Sequence, residues 1–288
     1  MPGGVLIIDK PEGWTSMDVC AKLRGILHER RVGHGGTLDP MATGVLPVFV
    51  GRATRAVQYA ADGEKEYRAV LRLGTVTDTQ DVTGTVLERR PVSVTARELE
   101  EALAAFRGDI LQVPPMYSAL KVEGKKLYEL ARKGREVERK PRPITVRELE
   151  LGRQLSGTDF ELRVVCSKGT YVRTLCHDVG QALGCGGTMA ALRRTRVAGF
   201  GLDRAVTLEQ VQAADDPTAL LLPVDGCFAH LPALALTAAQ EKRVRNGTAF
   251  TYAGRPGQYR AYGAGGEFLA LVQTDGEKLT TVKSFFDV

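Results

Sequence analysis

The sequence predicts an α+β fold: a mixed, largely antiparallel sheet flanked by helices, followed by a small β-rich module. Three observations favour this fold. Strand-like apolar or alternating segments are interleaved with well-capped helices over about the first 200 residues. Three short strand candidates separated by Gly-rich turns then close the chain. The length of 288 residues also exceeds that of one average domain, which favours a large domain with a smaller one after it.

The composition is that of a globular protein, with 43% hydrophobic and 25% charged residues. No apolar run is long enough to span a membrane, and the first residues lack the features of a signal peptide, so we expect a cytoplasmic protein. The five cysteines are odd in number and never occur as C-x-x-C, and none of the four histidines stands four residues from another. A disulfide framework, a zinc site and a metal-dependent mechanism are therefore not indicated.

The first elements are predicted to be a strand, a helix and a loop. The apolar run GVLIIDK, closed by turn residues 11–13, predicts a buried strand. A helix with one apolar face follows at residues 15–27. The glycines between residues 31 and 51 favour an irregular backbone, so that whole segment is predicted to be a loop.

The middle of the chain alternates strands with helices. Residues 66–73 have strand periodicity, and we expect them to pair with residues 85–88 across the turn-rich TVTDTQDVTG. Thr95 and Glu98 form a capping box that begins a helix reaching Arg107. The next predicted elements are a short helix at 128–133, a strand pair at 144–151 and 160–166, and a helix capped by Thr170 that runs to Leu183.

The character of the sequence changes after Gly199. Two short helices with capping-box residues at 207/210 and 237/240 flank a proline-containing linker at 217–232. Strand candidates at 258–264, 267–273 and 279–285 follow. A small all-β module of roughly 55 residues is therefore expected at the end.

Positive charge is concentrated in residues 118–147, which contain ten Lys or Arg against four Glu. This basic insertion has a net charge of +6, so the rest of the chain has a net charge of −1. Such a concentration is typical of a protein that binds a polyanion, although a solvated basic surface would have the same composition.

The densest candidate site is the segment GHGGTLDPMATGVLP, which contains Asp39. Pro40 disfavours a helical backbone at Asp39, and the glycines let the backbone approach a ligand closely, so the carboxylate can be presented outward. The alternative is a turn in which Asp39 bonds only to its own backbone. A phosphate-binding P-loop is excluded because no G-K-[ST] follows the glycines.

This segment resembles the catalytic motif of the TruB family of pseudouridine synthases. Further resemblance, in the family's order, is carried by DKPEGWTS, EYRAVLRLG, VPPMYSALKVEGKKLYELARKG, CSKGTYVRTLCHDVG and LRRTRVAGF. The matching region spans about residues 5–200. The resemblance implies isomerisation of the T-loop uridine conventionally numbered 55 in tRNA, by a pseudouridine synthase fold that uses neither a metal nor an organic cofactor.

The resemblance also implies catalytic residues. Asp39 would be the nucleophile, because a carboxylate can attack, store a covalent intermediate and leave again. Attack on C1′ of the ribose and attack on C6 of the base both remain open. Arg173 would pair with Asp39 and keep it ionised and in place, and Tyr67 would stack on the target base and is a candidate for relaying a proton.

Further residues would bind the substrate. By resemblance, Tyr171 and Leu192 wall the uridine pocket, and His34 fills the stack vacated when the uridine is flipped out. The arginines that follow Leu192, Arg193 and Arg194, could hold backbone phosphates, and Lys10 in the first motif is expected mainly to support the loop.

Without the resemblance, these residues have ordinary explanations. Tyr67 and Leu192 would belong to the core, Arg173 would be an exposed helical arginine, and His34 would be a structural histidine beside a Gly-rich loop.

We expect residues 1–228 to form the catalytic domain and residues 229–288 a PUA-like RNA-binding domain, with the basic insertion at about 118–147 closing over the T stem-loop. A structural cap is the alternative for the C-terminal module. The implied partner is tRNA, with no membrane, no obligate protein partner and a monomeric chain.

Three rival functions remain. A related synthase could act on rRNA or on sites chosen by a guide RNA, although the basic insertion favours direct binding of a tRNA stem-loop. An RNA-binding or tRNA-folding module could have lost catalysis, but Asp39, Tyr67 and Arg173 are all present. An aspartate-dependent hydrolase would need a second carboxylate or a base near Asp39, and its loop contains neither.

Overall fold

The computed structural model describes residues 3–61, 63–122 and 124–286. Glu123, which was counted in the basic insertion, lies outside them. The helices, α1 to α7 in order, are Ser16–Leu27, Val57–Ala61, Ala96–Ala104, Leu127–Ala131, Val172–Ala182, Leu208–Ala213 and Ala238–Arg245. The strands, β1 to β18 in order, are Gly4–Lys10, Val32–His34, Thr43–Val50, Lys65–Leu73, Thr75–Thr77, Val86–Arg89, Gly108–Gln112, Lys121–Val122, Lys125–Lys126, Arg142–Gln154, Asp159–Cys166, Gly187–Val197, Phe200–Gly201, Ala233–Ala235, Phe250–Thr251, Gly257–Tyr262, Phe268–Thr274 and Lys278–Ser284. None of the described helices is long and apolar enough to cross a membrane.

A nine-stranded sheet forms the centre of the fold. Its strand order is β1-β3-β12-β4-β11-β10-β7, with β2 paired to β3 and β13 to β12. Every pairing is antiparallel except that of β3 with β12, which is parallel. The predicted α+β fold with a mixed, largely antiparallel sheet is therefore confirmed.

The two faces of the sheet differ in polarity. Along β4 the odd-numbered residues from 65 to 73 are buried, and the aliphatic ones among them belong to a core that also contains apolar residues of α1, α3 and α5. The even-numbered residues point to the other face, where Arg72 makes two hydrogen bonds to Asp159 and Arg163 pairs with Glu66 at 3.3 Å. Tyr67, a predicted site residue, lies on the first face, so the candidate site is on that face.

Two predictions about the sheet were wrong. Residues 32–34 form β2 and residues 43–50 form β3, which is buried between β1 and β12, so only residues 31 and 35–42 of the predicted loop lack regular structure. The strand β4 does not pair with residues 85–88. It lies between β11 and β12, while β6 forms a separate hairpin with β5. Proximity in sequence misled the second prediction, because the partners of β4 follow it by about 90 residues or more.

The starts of α3, α6 and α7 were predicted by their capping residues, whereas the start of α1 was predicted from its apolar face. Capping boxes begin α1 at Thr15, α3 at Thr95, α6 at Thr207 and α7 at Thr237. Two details were wrong: α3 ends at Ala104, three residues before the predicted end, and the N-cap of α5 is Tyr171. The hydroxyl of Thr170 donates instead to the Ser167 carbonyl at 3.0 Å.

The C-terminal module is a five-stranded sheet of order β14-β16-β17-β18-β15. The three predicted strands correspond to β16, β17 and β18. The ring centroids of Phe268 and Phe285 in this module lie 6.0 and 5.7 Å from that of Phe228. The Phe228 ring centroid in turn lies 5.1 Å from that of Tyr59. This shared aromatic cluster joins the module to the main body of the protein.

Gly44 is required where β3 runs parallel to β12. Its φ is +99°, and a Cβ there would lie 2.2 Å from the carbonyl oxygen of Arg194. We expect Gly44→Ala to lower the free energy of unfolding by roughly 3 kcal/mol or more, because both the backbone and the strand contact would be strained. Urea unfolding would measure this loss.

The matched control is Gly25→Ala in α1, where an added Cβ meets no atom within 4 Å. That change should be neutral or stabilising by about 0.5–1 kcal/mol. Equal urea midpoints for the two variants would contradict the role assigned to Gly44.

Candidate active site

Side chains of β1 and α1 hold the loop that contains Asp39 in place. Lys10, which is fully buried, donates to the carbonyls of Pro11 at 2.8 Å and Pro40 at 3.2 Å. The Ser16 hydroxyl accepts from the Leu38 N–H at 2.9 Å and lies 3.2 Å from the Leu38 carbonyl. Burial lowers the pKa of Lys10 to about 8, against the opposing influence of Asp39. Both neighbours of Asp39 in sequence are thus fixed, and Lys10 lies where it supports the loop.

The carboxylate of Asp39 faces the guanidinium of Arg173, whose Nη2 lies 3.1 Å from Oδ2. The Arg173 side chain is only 6% exposed, whereas that of Asp39 is 33% exposed. Burial raises the pKa of the Asp39 carboxyl, and the positive charge of Arg173 opposes that rise. Asp39 is therefore a partly accessible carboxylate whose ionisation depends on Arg173.

Arg173 has two further partners. Its Nη2 donates to the carbonyl of Tyr117 at 2.8 Å, and its Nη1 lies 3.8 Å from Oδ2 of Asp81. Among the described residues no hydrogen-bond acceptor reaches its buried Nε. The guanidinium thus joins two carboxylates and one backbone carbonyl from three separate segments.

Sequence reasoning missed Asp81, which is almost fully buried. Its Oδ1 accepts hydrogen bonds from the hydroxyl of Thr79 at 2.9 Å and from the N–H of Thr83 at 3.0 Å. Its other oxygen, Oδ2, faces Arg173. The available signal was an aspartate with threonines two residues away on both sides, within a stretch that otherwise indicated only turns. The second carboxylate that a hydrolase would need is present but is held towards Arg173.

Tyr67 lies on β4, is 7% exposed and pairs across strands with Arg194. Burial raises the pKa of its phenol. Arg194 is 1% exposed and donates to the carbonyls of Val45 at 2.8 Å and Gly36 at 3.0 Å. The prediction that Arg194 could hold an RNA phosphate was wrong, because its charge is used inside the protein to fix the Asp39 loop.

The other predicted substrate residues lie around this centre. The Tyr171 ring lies 5.9 Å from the Arg173 guanidinium, and Leu192 lies buried on β12 opposite Ala69 of β4. His34 is half-buried on β2, its pKa is lowered by burial, and no described residue bonds to its Nδ1. Arg193 is the exception, because it lies opposite Arg68 of β4 on the other face of the sheet, where it pairs with Asp9 at 2.7 Å.

The described side chains do not include three or more His, Cys, Asp or Glu residues grouped so that they could bind a metal ion. What the site offers is one accessible carboxylate, a buried guanidinium that holds it and two nearby phenols. This arrangement can perform nucleophilic attack and proton relay.

Three family models match consecutive parts of the chain. Residues 24–172 match the TruB family pseudouridylate synthase N-terminal domain. Residues 173–229 match the tRNA pseudouridylate synthase B C-terminal domain, and residues 231–286 match the tRNA pseudouridine synthase II C-terminal domain.

Curated relatives carry the name tRNA pseudouridine synthase B. The protein from Aromatoleum aromaticum is 48% identical over 276 residues, which is 95% of this chain and 89% of that protein. The protein from Escherichia coli K12 is 44% identical over 289 residues, or 95% of this chain and 92% of that protein.

Two solved structures have a similar fold. One is described as an H/ACA RNP bound to a substrate RNA containing 2′-deoxyuridine, with a TM-score of 0.75, 26% identity and coverage of 99% of this chain and 85% of that one. The other is a Cbf5-Nop10-Gar1 complex, with a TM-score of 0.75, 28% identity and coverage of 98% and 85%.

Proposed function

Because the chain belongs to the TruB family of pseudouridine synthases, we propose that it isomerises uridine 55 in the T loop of tRNA to pseudouridine. The observation that carries this proposal is the partly accessible Asp39 carboxylate held by the buried Arg173. The identity of 44–48% to proteins named tRNA pseudouridine synthase B, over 95% of the chain, supports tRNA as the substrate.

In the proposed reaction Asp39 attacks the target uridine and forms a covalent intermediate. The N1–C1′ glycosidic bond breaks, the uracil turns, and a new bond forms between C5 and C1′. The proton on C5 is lost to the surroundings while N1 gains one, so the reaction conserves all heavy atoms and needs no oxidant or reductant. Arg173 keeps the nucleophile ionised and oriented.

The remaining site residues bind the extruded nucleotide. Tyr67 and Tyr171 offer aromatic rings to the base, and Leu192 adds an apolar wall beside Tyr67. His34 lies at the end of β2, next to the Asp39 loop, where it can fill the space left by the uridine. Extrusion from the folded T loop costs a few kcal/mol, which these contacts and the RNA backbone contacts must offset.

We propose that residues 1–228 carry out catalysis and that the module at 229–288 assists RNA binding, as the sequence predicts. Arg193, whose side chain is 42% exposed, lies opposite Arg68 on the other face of the sheet from Tyr67, so we propose that it contacts the RNA backbone there and not at the uridine pocket. We also propose that the chain acts in the cytoplasm as a monomer. Its own basic insertion supplies positive charge for tRNA binding, so no protein partner is required to supply it.

Tritium release from a tRNA transcript labelled with 5-³H-uridine tests the function directly. The protein should release tritium from the transcript without any guide RNA, and replacement of uridine 55 by cytidine should abolish the release. Tight binding of the transcript without release would support an RNA-binding or tRNA-folding protein, and release only with a guide RNA would support the guided rival.

Charge reversal at Lys125, Lys126, Arg132 and Lys133 should weaken tRNA binding and flatten its salt dependence. Each lost phosphate contact is expected to reduce the slope of log K against log salt by about 0.7–0.9. Lys126 and Arg132 both lie against the Tyr128 ring, at 5.5 and 5.3 Å, so part of this basic surface is ordered around one aromatic residue. Fluorescence titrations between 50 and 200 mM salt, the range in which phosphate contacts change affinity most visibly, would measure the slope.

A double variant isolates the effect of position from that of net charge. Lys125→Glu with Lys133→Glu changes the net charge as much as Arg97→Glu with Arg153→Glu, whose side chains are 87% and 80% exposed outside the insertion. Equal salt slopes for the two double variants would mean that the basic insertion does not contact the RNA.

A further inference from the structure

Gln112 makes an unusual pair of contacts with the active-site helix. It is the last residue of β7 and is buried, and its Nε2 donates to the carbonyl of Tyr171 at 3.1 Å. Its Oε1 accepts from the N–H of the same residue at 2.8 Å. A single amide side chain therefore satisfies both backbone groups of Tyr171, which is 59 residues away in sequence.

These contacts fall at the N-terminus of α5, where a fixed geometry matters most. Tyr171 is the N-cap of α5, and the structure shows no side-chain hydrogen bond from this residue to the described backbone of the helix. Its carbonyl also accepts the helical bond from Leu175 at 3.0 Å. The N-terminus of α5 thus lacks the usual side-chain cap, and Gln112, from β7, fixes it instead.

The segment that follows Gln112 holds the same turn of α5 a second time. Tyr117, five residues further on, gives its carbonyl to Arg173 at 2.8 Å. Tyr171 and Arg173 are therefore both tied to residues 112–117, the stretch that leads directly into the basic insertion at 118–147. Arg173 in turn holds Asp39 at 3.1 Å.

We propose that Gln112 is a positioning residue for the isomerisation: by clamping the backbone of Tyr171 it sets the position of Arg173, and through Arg173 that of the Asp39 carboxylate. This inference rests on the proposed function and deepens it. Gln112 acts through α5, so its loss should affect the chemical step more than the binding of tRNA. It also connects residues 112–117, which lead into the basic insertion, to the nucleophile through α5 and Arg173.

The test is Gln112→Met, which keeps the length of the side chain but can neither donate nor accept as the amide does. Single-turnover tritium release with saturating enzyme should slow by about 10- to 100-fold, the range that small misplacements of reacting groups produce. The tRNA Kd should stay within about twofold of the wild-type value, because no phosphate-binding residue changes. The acid limb of the pH–rate profile should move to higher pH, since a displaced Arg173 stabilises the ionised Asp39 less well.

The matched control is Gln154→Met on β10, an exposed glutamine outside the site. If Gln112→Met does not fold, Gln112→Glu replaces it, because the carboxylate still accepts from the Tyr171 N–H but repels the Tyr171 carbonyl, and the same slowing is expected. A wild-type protein that releases no tritium would overturn the proposed function itself. An active wild type with Gln112 variants that match Gln154→Met in rate and pH profile, or that lose only tRNA affinity, would overturn this inference alone.

Discussion

Replacing Asp39 by asparagine is expected to reduce pseudouridine formation by roughly 10⁴-fold or more, because the amide cannot attack and the reaction has no other nucleophile at this position. The affinity for tRNA should change little. Among the described residues the one ion pair of Asp39 is with Arg173, and the positive charge that we propose binds the RNA backbone lies mainly in residues 118–147. Tritium release and a binding titration on the same preparation would separate these two effects.

Asp109→Asn is the matched control, because Asp109 is an exposed carboxylate that accepts a hydrogen bond from Thr145 at 2.6 Å on the edge strand β7. It should retain wild-type activity. If Asp39→Asn retained more than about a hundredth of the activity, Asp39 would not be the nucleophile. If it lost tRNA binding together with activity, Asp39 would instead organise the RNA site.

Local features of the fold were predictable because their causes are local. The capping boxes at Thr15, Thr95, Thr207 and Thr237 each satisfy backbone N–H groups within four residues, so the sequence contains the whole reason for the helix start. Asp39 was identified from the glycines and proline that surround it and from the resemblance of several ordered motifs. Its contact with Arg173 was implied by that resemblance only.

Features that depend on distant partners were not predictable. The strand β12 contains three arginines and one threonine in the four consecutive residues 193–196, a composition that favours surface exposure. It is nevertheless central, and Arg194 is accommodated there because its guanidinium donates to backbone carbonyls of the Asp39 loop and of β3. Asp81 and Gln112 act in the same way, through partners about 90 and 59 residues away, and no local pattern identifies those partners.

Replacing Arg173 by methionine is expected to slow the reaction by roughly 10²- to 10³-fold. Removing one partner of a buried ion pair costs about 3–5 kcal/mol, part of which appears in the barrier. Asp39 and Asp81 would then face each other without the shared guanidinium, and the Tyr117 carbonyl would lose its donor. Lysine should restore little activity, since a single ammonium cannot reproduce this planar set of contacts.

The pH dependence makes this second prediction specific to the role of Arg173. Burial raises the pKa of Asp39 and Arg173 lowers it, so removal of Arg173 raises that pKa further. Because the ionised form is the nucleophile, activity falls as the pH drops through this pKa, and the acid limb of the variant should lie at higher pH than that of the wild type. Arg72→Met is the control, since it also breaks an ion pair, with Asp159 at 2.7 Å, but on the opposite face of the sheet. An unshifted acid limb in Arg173→Met would mean that Arg173 only stabilises the fold, whereas a shift absent from Arg72→Met would tie the charge of Arg173 to the ionisation of the nucleophile.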